Sequence, residues 1–171
     1  MTVPLIFICG GSRSGKSSKA IEMALARSER PAFIATAEAL DDEMAERIAY
    51  HREERGDRFE TIESPVDVAV ALRETGMRHP VIVVDCLTLW LSNVLLREEL
   101  DLTARAEELL AAMNDCPATV IAVSNEVGCG IVPENVLARQ FRDEAGRLNA
   151  RVAEISAEVY WMVFGCALRV K

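Results

Sequence analysis

The residues Gly10-Gly11-Ser12-Arg13-Ser14-Gly15-Lys16-Ser17 satisfy the pattern G-x-x-x-x-G-K-[ST] at every fixed position. The pattern has a mechanism. Backbone N–H groups around a glycine-rich turn, at the N-terminus of a helix, present partial positive charge to an anion. A lysine extends that charge to the outer phosphates of a nucleotide, and a serine hydroxyl ligates the Mg²⁺ that travels with them. Glycine lets backbone come close to a phosphate oxygen. A second chemical residue, Asp85, ends the apolar run Val81-Ile82-Val83-Val84. An acid in that place supplies a carboxylate to the Mg²⁺ of a nucleotide bound by such a loop. The plainer alternative is an acid pairing with a neighbour, and the glycine-rich loop favours the metal role.

The sequence holds two histidines. His79 precedes Pro80 in a polar turn and is expected at the surface. Met44, Ile48 and His51 share one face of a helix expected over Asp42–Arg55, by the i, i+4, i+7 spacing. Two readings of His51 stand. The commoner is a partly buried, hydrogen-bonded histidine; the sharper is a nucleophile or acid–base group. Glu63 also has two readings. Its carboxylate could accept hydrogen bonds from a guanine edge, or favour the start of the next helix through the dipole. Spacing leans to the dipole. The segment Glu126–Glu134 carries Gly128, Gly130 and Pro133 after an apolar run. It is expected to be a functional, mobile loop over the site, with a plain connector as the alternative.

These groups need a frame. Strands are expected at Leu5–Cys9, Ala32–Ala35, Val81–Asp85, Ala118–Val123 and Val159–Phe164, with weaker ones at Phe59–Ile62 and Ala167–Val170. Helices are expected at Ser17–Arg27, Asp42–Arg55, Val66–Thr75, Thr88–Glu99, Thr103–Asn114 and Asn135–Ala157. Apolar strands separated by amphipathic helices imply an α/β domain with a mainly parallel sheet and helices on both faces. Ligands collect at the carboxyl ends of such strands. Pro31 and Pro80 stand just ahead of strands. Ser64-Pro65 resembles an N-cap followed by proline at the first helical position, and Gly76 a C-cap. The 171 residues, without repeats or linker, suit a single P-loop NTPase domain.

A formal net charge of −8 argues against a nucleic-acid scaffold. It does not exclude nucleotides, because a local cradle can outweigh the global field. The five cysteines, Cys9, Cys86, Cys116, Cys129 and Cys166, are scattered and odd in number, as in a reducing compartment. No apolar stretch is long enough to span a bilayer, and the first apolar run is too short for a secretory signal. A cytoplasmic protein is expected.

Beyond the P-loop, several segments carry a more specific likeness. They are Ile34-Ala35-Thr36-Ala37; Asp41-Asp42-Glu43-Met44 with Arg47-Ile48 and His51-Arg52; and Asp85-Cys86-Leu87-Thr88. Ser124-Asn125-Glu126-Val127-Gly128 continues to Gly130-Ile131-Val132-Pro133-Glu134-Asn135, and Arg139-Gln140-Phe141-Arg142-Asp143 is followed by Gly146-Arg147 and Asn149. Nearly end to end, the chain resembles the bifunctional adenosylcobinamide kinase / adenosylcobinamide-phosphate guanylyltransferase family. The Asn-Glu-Val-Gly segment and its Ile-Val-Pro-Glu-Asn continuation are the most specific part.

The resemblance implies that His51 attacks the α-phosphorus of GTP and carries GMP as a phosphoramidate. Some relatives have two adjacent histidines there; this chain has Tyr50 and a single histidine. It also implies that Thr36, Ala37, Arg52 and Glu63 belong to the nucleotide pocket, beside the P-loop residues Gly10 to Ser17. Lys16 is expected to act on the phosphates, and Ser17 and Asp85 to hold Mg²⁺. Asp85 stands where some relatives have glutamate. The expected activity phosphorylates adenosylcobinamide with ATP or GTP, then transfers GMP from GTP to the phosphate, in cobalamin biosynthesis. No nucleic-acid partner is expected, and the family implies a homotrimer. Two other readings are weighed: a small-molecule kinase with a structural His51, and a GTP-switch protein. The sequence lacks the Asn-Lys-x-Asp guanine motif that the switch would call for.

Overall fold

The structure, a computed structural model, describes residues 4–39 and 41–171; of Glu43, Arg47 and Glu54 only the backbone is described. Glu43 and Arg47 belong to the segments that carry the likeness, and their side chains lie outside the described residues.

Seven strands form one sheet: β1 (Leu5–Gly10), β2 (Ala32–Ala35), β3 (Glu60–Glu63), β4 (Val81–Asp85), β5 (Thr119–Asn125), β6 (Glu158–Val163) and β7 (Cys166–Arg169). Their order across the sheet is β3-β2-β4-β5-β1-β6-β7. Every pair is parallel except the β6–β7 hairpin. The hairpin turns at Phe164-Gly165, both at positive φ. The α-helices are α1 (Lys16–Leu25), α2 (Asp42–Arg55), α3 (Val68–Gly76), α4 (Leu87–Leu95), α5 (Leu102–Asp115) and α6 (Val136–Ile155).

Side chains alternate across a strand, so β1 serves two cores at once. Leu5 and Phe7 join one buried cluster with residues of α3, α4, α5 and α6. Ile6 and Ile8 join the other, where α1 supplies Ala20, Ile21, Met23 and Ala24. The central strands are apolar on both faces because both are covered. The expected α/β class, its parallel sheet and its helices on both faces hold, with most of the helical mass on one side.

α2 stands apart. None of its described side chains is buried except Arg55. The helix is held near its ends. At the start, the Asp41 carboxylate accepts the N–H of Met44 at 2.7 Å. At the end, the Arg55 guanidinium lies 4.0 Å from the centre of the Phe33 ring. The shared face of Met44, Ile48 and His51 is its half-buried side.

Three local expectations are corrected. Ser64-Pro65 does not cap α3; the helix begins at Val68 after Asp67, and the Pro65 carbonyl accepts a hydrogen bond from α4 instead. The helix expected to reach Glu99 ends at Leu95, where the Arg97 N–H turns back to the carbonyl of Val94. Gly76 is the last residue of α3 and its cap is Met77 in the right-handed region. The glycine is there for space: a Cβ would meet the Cys116 sulfur at 2.8 Å and Pro117 at 3.2 Å.

That contact decides a sign. Helix propensity alone would make Gly76→Ala stabilising by up to about 1 kcal/mol. The crowding against Cys116 and Pro117 should instead make it destabilising, by about 1–3 kcal/mol, read from the midpoint of chemical denaturation.

Candidate active site

The register of the parallel strands builds the site. Ala35 pairs with Asp85 and also with Glu63, while Gly10 pairs with Asn125. Five strand ends, β3-β2-β4-β5-β1, therefore finish along one edge, and the predicted groups hang from it.

At the end of β1 the chain enters the phosphate loop. A Cβ on Gly10 would sit 2.6 Å from the Met162 carbonyl oxygen and 2.9 Å from the Ser14 hydroxyl, so the first fixed position admits only glycine. Arg13 and Gly15 adopt positive φ, and α1 starts at once with Lys16. Lys16 is buried, 7% exposed. Its ammonium donates to the Gly11 carbonyl at 2.5 Å and to the Ser14 hydroxyl at 3.4 Å. A cation is thus stored across the mouth of the loop. Gly11, Ser12 and Arg13 are exposed, as a surface receiving phosphate must be.

Across the edge, the Asp85 carboxyl is bonded to the Ser17 hydroxyl. Withdrawal from water pushes its pKa above the usual carboxylate range; the Ser17 bond and the charges of His51, Lys16 and Arg55 pull it back only in part. Two adjacent oxygen donors facing a phosphate cradle suit Mg²⁺, which takes few protein ligands and completes its shell with phosphates and water. Among the described residues no group of three or more His, Cys, Asp or Glu could hold a metal without such help.

Between α2 and the ends of β2 and β3 lies a cavity of about 420 Å³. Ala37, Glu38, Ala39, Ala45, Ile48, Ala49, Arg52, Glu63 and Pro65 line it. Small side chains floor it, and three charged ones rim it. Arg52 and Glu63 form an ion pair on the rim. Ala37, Arg52 and Glu63 are thus brought together, as expected for one pocket. Thr36 sits behind the lining, fully buried. Its hydroxyl donates to the Cys86 carbonyl at 2.8 Å and accepts the Cys86 N–H at 2.7 Å, which ties the end of β2 to the end of β4. Glu63 ends β3 and lies well ahead of α3, so the helix-dipole reading loses its geometry.

His79 is half-buried rather than exposed, with its side chain 10% exposed. It sits between the Arg30 carbonyl and the Glu60 carboxylate, at the start of β3 and far along the strand from the phosphate loop. The segment after β5 begins beside that loop, since the Glu126 N–H donates to the Gly10 carbonyl at 3.0 Å. Its first turn is closed by the Glu126 carboxylate, which accepts the N–H groups of Gly128 at 2.6 Å and Cys129 at 3.1 Å. Arg142 donates to the Gly128 carbonyl, and Arg139 to those of Pro133 and Glu134. Ile131 and Val132 between these anchors are exposed.

Sequence reasoning missed a set of polar side chains. The Asn125 amide donates to the Thr88 hydroxyl at 2.7 Å, and Asn93 and Arg97 bind the loop behind Thr36. The available signal was Asn93 itself, an amide among the buried Trp90, Leu91 and Val94 of α4.

The comparisons agree with the geometry. Residues 6–170 match the family model described as cobinamide kinase / cobinamide phosphate guanyltransferase. The bifunctional adenosylcobalamin biosynthesis protein CobP of Pseudomonas aeruginosa is 41% identical over 165 residues, covering 96% of this chain and 95% of that one. The CobU protein of Escherichia coli, also described as bifunctional in adenosylcobalamin biosynthesis, is 38% identical over 98% of this chain and 99% of that one. Among solved structures, a Pyrococcus horikoshii protein aligns with TM-score 0.56 at 7% identity, covering 99% of this chain and 87% of that one. The RadB recombinase aligns with TM-score 0.51 at 17% identity, covering 94% and 75%. The last two show the fold alone. With the family model matched over residues 6–170 and these relatives alike over nearly their whole length, the chain belongs to the cobinamide kinase / cobinamide phosphate guanyltransferase family.

Proposed function

We propose that this protein phosphorylates the hydroxyl of the aminopropanol arm of adenosylcobinamide, using ATP or GTP, and then converts the phosphate to the GDP-linked form with GTP. The observation that carries the reading is the meeting of two kinds of group at one sheet edge: a phosphate loop with its Lys16, and α2, which lines the cavity at the ends of β2 and β3 and carries His51 on its half-buried side. A kinase alone has no use for the second.

In the first step the substrate hydroxyl oxygen bonds to the γ-phosphorus, the bond to the departing nucleoside diphosphate breaks and the hydroxyl proton leaves. Positioning and charge neutralisation do most of that work. The loop N–H groups and Lys16 would hold the transferring and leaving phosphates. In the second step a neutral ring nitrogen of His51 attacks the α-phosphorus of GTP and pyrophosphate departs. An oxygen of cobinamide phosphate then attacks the same phosphorus. The N–P bond breaks, and imidazole is regenerated. Mg²⁺ between Ser17, Asp85 and the phosphates would offset charge and orient them. The cavity lined by Ala37, Ala45 and Ala49 would take the base, with Glu63, which pairs with Arg52, as acceptor for a guanine edge.

Free thiols throughout and the absence of any described helix long and apolar enough to cross a membrane suit a cytoplasmic enzyme. A homotrimer is part of the reading. The exposed Trp161, Phe164 and Leu168 of the β6–β7 hairpin offer apolar surface to another copy.

His51→Ala should lose the acid-labile GMP adduct, followed with α-labelled GTP, while still phosphorylating cobinamide. A variant that keeps the label places the nucleophile elsewhere. Lys16→Ala should lose both steps, each by about 10²–10³ in turnover, because both draw on one phosphate cradle. Asp85→Asn should raise the Mg²⁺ concentration needed for both steps in a titration, with the fold intact by circular dichroism.

A further inference from the structure

α2 carries His51, yet it contributes almost nothing to either core. Something other than apolar packing must set where the helix begins. The loop 36–39 leads into it, and that loop has left the sheet, so its carbonyls have no ladder partners.

α4 supplies the partners. Trp90, Asn93 and Arg97 stand at i, i+3 and i+7, which puts them on one side of the helix and its C-terminal extension. The Trp90 indole donates to the Val66 carbonyl at 2.8 Å. The Asn93 amide donates to two carbonyls at once, Thr36 at 2.8 Å and Pro65 at 2.9 Å. It thereby ties the loop after β2 to the loop after β3. One guanidinium nitrogen of Arg97 donates to both Glu38 carboxylate oxygens, at 2.8 and 3.1 Å. Another donates to the Asn93 carbonyl at 2.6 Å. Glu38 and Pro65 line the cavity beside α2. Asn93 is 7% exposed, so its amide cannot exchange these partners for water without opening the structure.

We propose that Asn93 and Arg97 are positioning residues for nucleotidyl transfer. Together with Glu38 they form a strut from α4 to the root of α2, and the strut sets the reach of His51 to the nucleotide. The proposal rests on the reading of His51 as nucleophile. Phosphoryl transfer, which depends on the loop 10–17, draws on the strut far less.

Arg97→Met, Glu38→Gln and the double variant test it in the whole protein, with Arg97→Lys as the conservative comparison. Formation of the GMP adduct should slow by roughly 10- to 100-fold in each single variant, because small misplacements of a reacting group are costly. The double variant should be no slower than the worse single one, and Arg97→Lys should recover part of the rate. In Arg97→Met and Arg97→Lys, cobinamide phosphorylation should stay near wild type and the melting temperature should fall by less than about 4 °C. Asn93→Ala gives a second route to the same loop. Hydrogen exchange supplies a readout independent of His51 chemistry: amides of residues 36–46 should lose protection in Arg97→Met, while those of residues 10–25 keep theirs. Equal loss of both activities in step with melting temperature would overturn the strut, and so would unchanged exchange over residues 36–46. If wild type itself forms no adduct, the His51 reading fails, and the exchange result still decides the strut.

Discussion

The backbone of a parallel sheet loses its hydrogen-bond ladder at the carboxyl edge, and this chain places its chemistry in that strip. Each connection leaving the edge must find partners for its N–H and C=O groups. Thr36 supplies them across to Cys86, Asn93 to Thr36 and Pro65, Asn149 to Asn125, and the Glu126 N–H to Gly10. These bonds join the strand ends to one another and to α4 and α6. The phosphate loop, Asp85 and the cavity beside α2 hold their mutual geometry because the edge is laced in this way. The two cores beneath supply stability and keep the strands in register.

The two faces of the sheet carry different duties. α3, α4, α5 and α6 bury one face in a continuous apolar cluster. On the other, α1 both covers the strands and presents the phosphate loop at its N-terminus. The edge also holds sulfur, and burial keeps it quiet. The thiols of Cys9 and Cys86 are pushed up to about 11, chiefly by withdrawal from water. A protonated thiol is a poor nucleophile, so two cysteines lie beside the phosphate-handling groups without competing for the nucleotide.

Much of this was legible in the residues. Val81-Ile82-Val83-Val84 could only be a buried strand, and the phosphate loop fixed which edge of the sheet mattered. Asp42–Arg55 was legible to the residue because Asp41 is a good cap and Gly56 a good stop. What escaped were effects set by neighbours distant in sequence. Gly76 looks like a helix stop, yet it answers to Cys116 and Pro117, about forty positions away. Ser64-Pro65 has the grammar of a cap, but its carbonyl is taken by Asn93. His79 looks exposed beside a proline, but it is enclosed by Arg30 and Glu60. His51 could not be decided by helix periodicity, because a half-buried histidine looks the same whether it faces a core or a cleft. The likeness to a family, rather than the spacing, pointed to the cleft.

The shallow seating of α2 separates two properties that usually decline together. Substitutions on exposed positions such as Ala45, Ala49 and Tyr50 remove no core contact and should leave folding free energy within about half a kcal/mol. Ala45 and Ala49 nevertheless line the cavity beside the sheet edge. With the nucleophile proposed on this helix, damage here would escape any quality control that senses unfolding, and would accumulate as abundant, well-folded protein that has lost its second reaction. Abundance in the cell would then say little about whether this helix still does its work.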